Sequence, residues 1–301
     1  MRRFTAAVGA LPILASLLIV LAILACEDDD DKIITSPDLP VSVIETAWSP
    51  DGTKLAVATR PSERRANGGL YIIDTATWTT EPLVTSSQPI RTGVPRWSPD
   101  GHWIVFTYNA SLYKVRPNGD SLTRLTHGKE IYYSDWSWSD TLIAYRQVTG
   151  DSLGIWLAQP DGAIVRHLHP WGLNPCFGPN DSLYYMGNSS HDPGVGTIYA
   201  RDLNVSQARI VHSGNGWFGD LSLQRGGDMI ALAIDDNVWT MKTDGTEVRQ
   251  LTFGLNFDGG TDPDWRPDGG RIVYTKPTTE GGSLWLMDPD GSNRTPVPGW
   301  E

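Results

Sequence analysis

One short sequence unit recurs six times along most of this 301-residue chain. Its clearest mark is an aliphatic residue followed by an aromatic one, and the aromatic residues of successive copies are 40 to 46 residues apart. The six pairs are Leu70-Tyr71, Leu112-Tyr113, Ile155-Trp156, Ile198-Tyr199, Val238-Trp239 and Leu284-Trp285. A repeat of this length restricts the fold to architectures that stack similar units, such as solenoids, helical arrays and propellers.

Turn motifs flank these pairs. The sequence Trp-Ser-Pro-Asp-Gly precedes two of them, at residues 48–52 and 97–101, and residues 265–269 differ from it only by an arginine in the second position. An Asn-Gly or Asp-Gly dipeptide follows four pairs, with its glycine at Gly119, Gly162, Gly245 and Gly291. Proline fixes φ and glycine accepts a positive φ, so both motifs favour tight turns. Short β-rich runs such as Ile104-Val-Phe106 follow the first motif and predict strands.

Each unit of about 43 residues therefore predicts four short strands joined by tight turns, which is the size and content of one propeller blade. Helical repeats would need uninterrupted stretches with a period of 3.6 residues. The 31 glycines and 21 prolines interrupt the chain too often for that. Six units between residues 41 and 301 predict an all-β fold, a six-bladed β-propeller of four-stranded blades.

The repeat also resembles that of a known family. Trp-Ser-Pro-Asp-Gly, an aliphatic-aromatic strand, an Asp-Gly turn and a Leu-Thr ending together resemble the WD-like repeat of TolB-type β-propellers. The resemblance covers residues 41–301 and implies the propeller fold. The TolB protein carries an α/β domain before its propeller, and we expect no counterpart of that domain in this chain.

The N-terminal segment predicts export. Two arginines at the start precede an apolar run over residues 6–25, and Ile23-Leu24-Ala25-Cys26 resembles the bacterial lipobox. We therefore predict that residues 1–25 are a lipoprotein signal peptide and that Cys26 is acylated. The alternative is an uncleaved membrane anchor, since about 20 apolar residues can span a bilayer. Both interpretations place the rest of the chain in the bacterial cell envelope, facing the periplasm or the exterior.

Residues 26–40 follow as a tether that begins with the acidic run Glu27-Asp-Asp-Asp-Asp-Lys32. Such a charge run cannot bury itself and is typical of a solvated linker. The net charge of the whole chain is −11, which disfavours binding to a phosphate backbone. The predicted partners are therefore the membrane, through the lipid anchor, and an envelope protein or peptide, with no nucleic acid.

The candidate binding residues lie in the links between blades, where the repeats stop resembling one another. These links lead into the innermost strands, so we expect their side chains to surround the mouth of the central channel. The candidates are Tyr132, Tyr133, Trp171, Trp217, Phe218 and Phe257, with Asp220, Asp258 and Asp262 beside them. Two interpretations of the aromatic residues stay open: they cap the core under each loop, or they form a surface for a partner.

No set of residues predicts catalysis. The chain has no Gly-x-Ser-x-Gly elbow, and the glycine-rich segment 214–219 leads into a strand where a dinucleotide site needs a helix. His167 and His169 could share a strand face, but no third metal ligand accompanies them. We therefore expect a non-enzymatic binding scaffold without a metal or cofactor.

Two other functions remain alternatives. One is a hydrolase or lyase that acts on glycans or peptides through the carboxylates of Asp220, Asp258 or Asp262 at the channel mouth. The other is a sensor that binds a small ligand or an ion in the channel.

The lipid anchor can be tested directly. Cells that express the chain and are fed a labelled fatty acid should incorporate label into the protein, because acylation at Cys26 follows the lipobox. The substitution Cys26→Ser should abolish the label, while Cys176→Ser should leave it intact. Label that persists in Cys26→Ser would contradict the prediction.

Overall fold

The computed structural model describes residues 43–60, 68–85, 92–127, 130–150, 153–188, 195–254, 259–279 and 281–300. Three of the predicted functional residues, Cys26, Phe257 and Asp258, lie outside these ranges, as do the signal peptide and the tether. Within them, no helix is long and apolar enough to cross a bilayer.

The described chain forms six antiparallel sheets of four strands each, and every sheet keeps its strands in chain order. Blades 1 to 3 contain β1 Val43–Trp48, β2 Lys54–Thr59, β3 Gly69–Asp74, β4 Thr80–Thr85, β5 Thr92–Trp97, β6 Ile104–Tyr108, β7 Ser111–Val115, β8 Thr123–Arg124, β9 Ile131–Trp136, β10 Ile143–Gln147, β11 Gly154–Ala158 and β12 Ile164–His169. Blades 4 to 6 contain β13 Leu173–Phe177, β14 Leu183–Asn188, β15 Val195–Arg201, β16 Arg209–Asn215, β17 Phe218–Leu223, β18 Met229–Ile234, β19 Asn237–Lys242, β20 Arg249–Gln250, β21 Thr261–Trp265, β22 Ile272–Thr278, β23 Gly281–Met287 and β24 Thr295–Pro296. A single 3₁₀ turn, Pro179–Asp181, joins β13 to β14. The prediction of an all-β six-bladed β-propeller with four-stranded blades is confirmed.

The Trp-Ser-Pro-Asp-Gly motif forms the turn between the first two strands of a blade, as the sequence predicts. In blade 1 the hydroxyl of Ser49 donates to Oδ1 of Asp51 over 2.6 Å and accepts the backbone N–H of Lys54 over 2.9 Å. Gly52 has a φ of +69°, a conformation that glycine adopts without a Cβ penalty. The same bonds recur in blade 2 around Ser98, so the motif encodes one self-contained turn.

The core lies between blades. The aliphatic member of each recurring pair is fully buried in the third strand, at Leu70, Leu112, Ile155, Ile198, Val238 and Leu284. A second buried layer comes from the last residue of each innermost strand, namely Trp48, Trp97, Trp136, Phe177, Leu223 and Trp265. Trp97 shows how this layer works: it packs against Ala47 of the preceding blade and donates its indole N–H to the Ala47 carbonyl over 3.1 Å. These tryptophans are therefore core residues.

The ring closes by side-chain packing, since blades 1 and 6 each consist of four consecutive strands and exchange none. Trp300 contributes to this junction: it is 4% exposed and packs with Val43 and Leu55 of blade 1. Its indole N–H donates to the hydroxyl of Thr80 over 3.1 Å, and its ring meets Tyr71 edge-on with centroids 6.0 Å apart.

Replacement of Trp300 should therefore loosen the ring at this junction. We expect Trp300→Ala to lower the free energy of unfolding by about 3–5 kcal/mol, because a buried aromatic is lost and a cavity remains. Urea unfolding followed by tryptophan fluorescence measures this change. Trp171→Ala is the matched control, because Trp171 is 72% exposed and its loss should change stability by about 0.5 kcal/mol or less. Equal effects of the two substitutions would contradict closure through Trp300.

Candidate functional site

The six innermost strands surround a central channel, and each has an irregular register near its start. In blade 6, for example, the pairing of β21 with β22 jumps from Thr261 to Asp264. The other five first strands show a similar shift against their second strands. Such bulges leave a residue out of the ladder and redirect its side chain. Four residues in these bulges have a left-handed φ of +45° to +52°; they are Val94, Tyr133, Asn174 and Asp262.

Six residues lie in or next to these bulges, each three residues before the buried residue that ends its strand. We call this set the mouth layer; it consists of Glu45, Val94, Tyr133, Asn174, Asp220 and Asp262. The members interact across blades: Nδ2 of Asn174 in blade 4 donates to Oδ1 of Asp220 in blade 5 over 3.2 Å. The bond joins the mouth-layer residues of two neighbouring blades.

Three carboxylates of the mouth layer form an acidic cluster. One oxygen each of Glu45, Asp220 and Asp262 lies within 4.8 Å of the others, although the residues belong to blades 1, 5 and 6. Burial raises the pKa of Glu45 well above its usual value, and the charge of Asp220 raises it further. Burial and the charge of Asp220 also raise the pKa of Asp262. Tyr133 lies beside the cluster, and its pKa is raised first by burial and then by Asp220.

A second set of channel residues lies one position before the buried end residue of each strand. We call it the middle layer; its members are Ala47, Arg96, Asp135, Cys176, Ser222 and Asp264. Burial lowers the pKa of Arg96, but the carboxylates of Asp264, Glu45 and Asp135 more than reverse this, so its net pKa is raised. Nε of Arg96 lies 3.8 Å from Oδ1 of Asp135.

Side chains of the middle layer form hydrogen bonds between neighbouring blades. Oδ2 of Asp264 in blade 6 accepts the backbone N–H of Trp48 in blade 1 over 2.8 Å, and its Oδ1 accepts the hydroxyl of Ser222 over 2.6 Å. Oδ2 of Asp135 in blade 3 accepts the N–H of Phe177 in blade 4 over 2.5 Å. Burial raises the pKa of both aspartates, while the guanidinium of Arg96 opposes the rise. These bonds give the middle layer a structural role.

A small cavity of about 90 Å³ adjoins the middle layer on the side of the Trp-Ser-Pro-Asp-Gly turns. Pro50, Trp138, Arg225 and Pro267 contribute to its walls, together with the middle layer itself. A cavity of this volume is large enough to hold water. The mouth layer lies at the opposite end of the strands and carries the acidic cluster.

The structure brings three of the predicted site residues together: Tyr133, Asp220 and Asp262 are neighbours in the mouth layer. Trp171 and Trp217 lie in links on the same face and expose 72% and 70% of their surface. Tyr132, in the bulged part of β9 opposite Arg146, is 37% exposed.

Phe218 differs from the expectation of a partner-binding residue. It is only 9% exposed and packs in a core cluster between blades 4 and 5. Its ring lies directly over Gly196, where even a Cβ would clash with it, and near the ring of His212. Phe218 therefore caps the core, which is the other role that the sequence left open. The adjacent residue, Trp217, points into solvent instead.

Glu45, Asn174 and the middle layer are not among the site residues predicted from the sequence. A usable signal was present in three blades, where the four-residue motifs VPRW, NPCF and DPDW end the innermost strand. A proline inside a central strand is tolerated at a bulge, because no ladder partner then needs its missing N–H. The motif therefore marks the bulge and, with it, the mouth layer.

Comparisons with known proteins agree with this architecture. A family model described as "Dipeptidyl peptidase IV (DPP IV) N-terminal region" matches residues 49–139. A "Probable dipeptidyl-aminopeptidase B" of Phaeosphaeria nodorum is 31% identical over 110 residues, which are 35% of this chain and 11% of that protein. The chain thus spans about a tenth of the length of this curated relative.

Two solved structures extend the likeness over most of the chain. TolB from Acinetobacter baumannii superposes with a TM-score of 0.68 and 18% identity, covering 81% of this chain and 63% of TolB. The tricorn protease superposes with a TM-score of 0.65 and 16% identity, covering 87% of this chain and 27% of the protease. At these identities the likeness shows the fold, which is that of TolB-type β-propellers.

The role of Arg96 in the middle layer can be tested by its removal. We expect Arg96→Met to lower the free energy of unfolding by about 3–5 kcal/mol, because Asp135 and Asp264 lose their shared counter-charge. Adding Asp135→Asn should recover part of this loss, since an amide oxygen can still accept the N–H of Phe177. Arg249→Met, at an exposed arginine, is the control and should cost about 1 kcal/mol or less. Denaturant unfolding of the wild type, the two single variants and the double variant measures these changes. If Asp135→Asn recovered none of the stability lost in Arg96→Met, the proposed role of Arg96 as the shared counter-charge would be contradicted.

Proposed function

We propose that this chain is a non-enzymatic binding scaffold of the bacterial cell envelope, which takes a protein or peptide partner on the face that contains the channel mouth. The observation that supports this most is the exposure of two tryptophans, Trp171 and Trp217, at 72% and 70%. Large exposed aromatic side chains on a loop-bearing face are typical of interaction surfaces, where tryptophan often dominates the binding energy.

The backbone of each tryptophan is hydrogen-bonded, whereas its side chain is exposed to solvent. The backbone N–H of Trp171 donates to Nδ1 of His169 over 3.2 Å. The backbone of Trp217 makes two bonds with Asp235: its N–H donates to Oδ1 over 2.7 Å, and its carbonyl accepts the Asp235 N–H over 3.0 Å. The loops that would contact a partner are therefore already ordered in the free protein. This reduces the conformational entropy that is lost on binding.

The charge of this face restricts the partner further. The acidic cluster of Glu45, Asp220 and Asp262 lies at the mouth, and the chain carries a net charge of −11. Acidic partners would be repelled, whereas neutral or basic peptide segments would be steered towards the mouth.

The described residues offer little support for covalent catalysis. Burial raises the pKa of the Cys176 thiol well above its usual value, so the nucleophilic thiolate is disfavoured. The Nε2 atom of His167 is engaged with the carbonyl of Leu153 over 2.8 Å, and the ring stacks against Trp156. These groups are accounted for by packing.

The second candidate function is a hydrolase or lyase for glycans or peptides. The resemblance of residues 49–139 to a peptidase N-terminal region is the observation in its favour. That match covers residues 49–139 and so contains neither Asp220 nor Asp262, the carboxylates that this function would use. The binding function is therefore the better supported of the two.

The envelope location completes the proposal and rests on the N-terminal sequence. An acyl chain at Cys26 and the tether of residues 26–40 would hold the propeller close to a membrane surface. A partner anchored in the same envelope would then be met at a raised effective concentration.

Crosslinking in intact envelopes tests the binding surface. The wild-type chain should capture a defined partner, and Trp171→Ala combined with Trp217→Ala should lower that capture by at least about tenfold, because hot-spot tryptophans carry much of the binding energy. Ile210→Ala is the control: Ile210 is 62% exposed on the outermost strand β16, away from the mouth.

The double variant must remain folded for the test to count, and circular dichroism with thermal unfolding checks this. Capture that is unchanged in the double variant, or reduced equally by Ile210→Ala, would refute this surface as the binding site.

A further inference from the structure

A cavity of about 310 Å³ lies between blades 4 and 5, away from the central channel. Its walls come mainly from β16, the outermost strand of blade 4, and from the outer strands β19 and β20 with their connecting turns in blade 5. The volume is at the lower end of the range for ligand pockets, which is roughly 300–1,000 Å³. The cavity therefore suits one small group, such as a single long side chain.

The aromatic residue in this cavity is Trp239, and equivalent aromatic residues elsewhere show what such a ring is paired with. In blade 6, Nζ of Lys276 lies 4.8 Å from the centroid of the Trp285 ring. In blade 2, Cζ of Arg124 lies 6.0 Å from the centroid of the Tyr113 ring. A cation over an aromatic face is attracted by the quadrupole of the ring. The fold thus covers this recurring ring with a basic side chain in two blades.

Blade 5 has no such side chain. The strand register places Ile234 where blade 6 has its lysine, and Gln250 where blade 2 has its arginine. Both residues are uncharged, and none of the described residues that line the cavity is a lysine or an arginine. The ring of Trp239 therefore faces a space that is filled by a cation in the equivalent blades.

The polar atoms on the walls complement a cation as well. Oδ1 of Asp235 accepts the backbone N–H of Trp217 over 2.7 Å, and its Oδ2 accepts no hydrogen bond from the described residues. Nε2 of Gln250 donates to the carbonyl of Thr252 over 2.8 Å, which leaves its Oε1 as an acceptor. Arginine and lysine only donate hydrogen bonds. The planar guanidinium also stacks on aromatic rings and pairs with carboxylates, so arginine fits these walls better than lysine does.

We propose that this cavity binds an arginine side chain of the partner peptide. The guanidinium stacks on Trp239 and donates to Asp235 and Gln250. The inference rests on the proposed binding function for the source of the arginine. Because Asp235 also bonds the backbone of Trp217, the cavity adjoins this exposed tryptophan, and one peptide segment reaches both.

Titration of the full-length chain with the peptide acetyl-Gly-Arg-Gly-amide tests the proposal. The indole N–H resonance of Trp239, assigned by its loss in Trp239→Phe, should shift and saturate at millimolar peptide. The same peptide with citrulline, the neutral analogue of arginine, should bind at least about tenfold more weakly, because it lacks the charge. The resonance of Trp285, whose ring is already covered by Lys276, should not move.

Asp235→Asn and Asp236→Asn are a matched pair of variants. The two aspartates form one turn and both are exposed, but only Asp235 lines the cavity. Asp235→Asn should weaken binding of the arginine peptide by at least about tenfold, because the ion pair is lost, while its amide oxygen still accepts the N–H of Trp217. Asp236→Asn should bind within about twofold of the wild type, because an exposed charge outside the cavity contributes little.

Gln250→Arg is an independent variant, since it places an arginine where blade 2 has one. This side chain should cover Trp239 and reduce binding of the arginine peptide by at least about tenfold. Val205→Arg is its control, because Val205 is 50% exposed in the link between β15 and β16 and adds the same charge outside the cavity. Thermal unfolding checks that each variant is folded, and Gln250→Arg decides the point if Asp235→Asn is not.

Three results would each overturn the proposal: equal affinity for the arginine and citrulline peptides, equal affinity in Asp235→Asn and Asp236→Asn, or undiminished binding in Gln250→Arg. The titration needs no envelope partner, so it is separate from the crosslinking test of the exposed tryptophans. Partner capture without arginine binding would refute the cavity alone, whereas arginine binding without capture would refute the proposed function alone.

Discussion

The contact between neighbouring blades governs the rest of this structure. Each innermost strand ends in a large apolar residue that is buried against an adjacent blade, as Trp97 is against Ala47. In two blades a middle-layer aspartate also accepts a backbone N–H of the next blade, as Asp264 does from Trp48. Apolar burial provides the free energy, at about 25 cal/mol per Å². The hydrogen bonds fix the angle at which one sheet meets the next.

This contact also determines which residues reach the channel. Side chains of a strand alternate between its two faces, so burial of the terminal aromatic directs the preceding residue to the other face. The bulge then brings a further residue into the channel. The middle layer and the mouth layer are therefore consequences of the same packing, although their residues differ from blade to blade.

The middle layer and the mouth layer differ in the groups that surround their buried carboxylates. In the middle layer, Arg96 lies among the carboxylates of Asp135 and Asp264, and each aspartate also accepts a backbone N–H or a hydroxyl. A buried network of this kind specifies one arrangement of the blades more than it adds stability, because desolvation offsets much of the attraction. In the mouth layer, Arg96 lowers the pKa of Glu45, but burial and the charge of Asp220 outweigh this effect and raise it.

The sequence predicts the blades well because their determinants are local. The turn at Ser49 is complete within six residues, and the alternation around Leu70 and Tyr71 separates a buried face from a half-exposed one. The site is less predictable because its geometry depends on bulges. Glu45 and Asp220 approach each other only once six strands are arranged in a ring, and nothing local to either residue indicates that distance. The environments of Trp217 and Phe218 are equally hard to predict. The two aromatic residues are adjacent in the sequence, but Trp217 is exposed to solvent and Phe218 lies in the core.

Equivalent positions in the six blades are thus occupied by side chains of different chemical type. The mouth layer is acidic in blades 5, 6 and 1 and contains valine, tyrosine and asparagine in blades 2 to 4, so one side of the mouth holds nearly all the charge. Trp217 lies only three residues before Asp220, on the link that enters blade 5. The exposed aromatic and the acidic cluster are therefore parts of one short segment, and that segment is fixed by Asp235 at one end and by Asn174 at the other. The positions of Trp217 and of the Asp220 carboxylate are therefore set by the same hydrogen-bonded link.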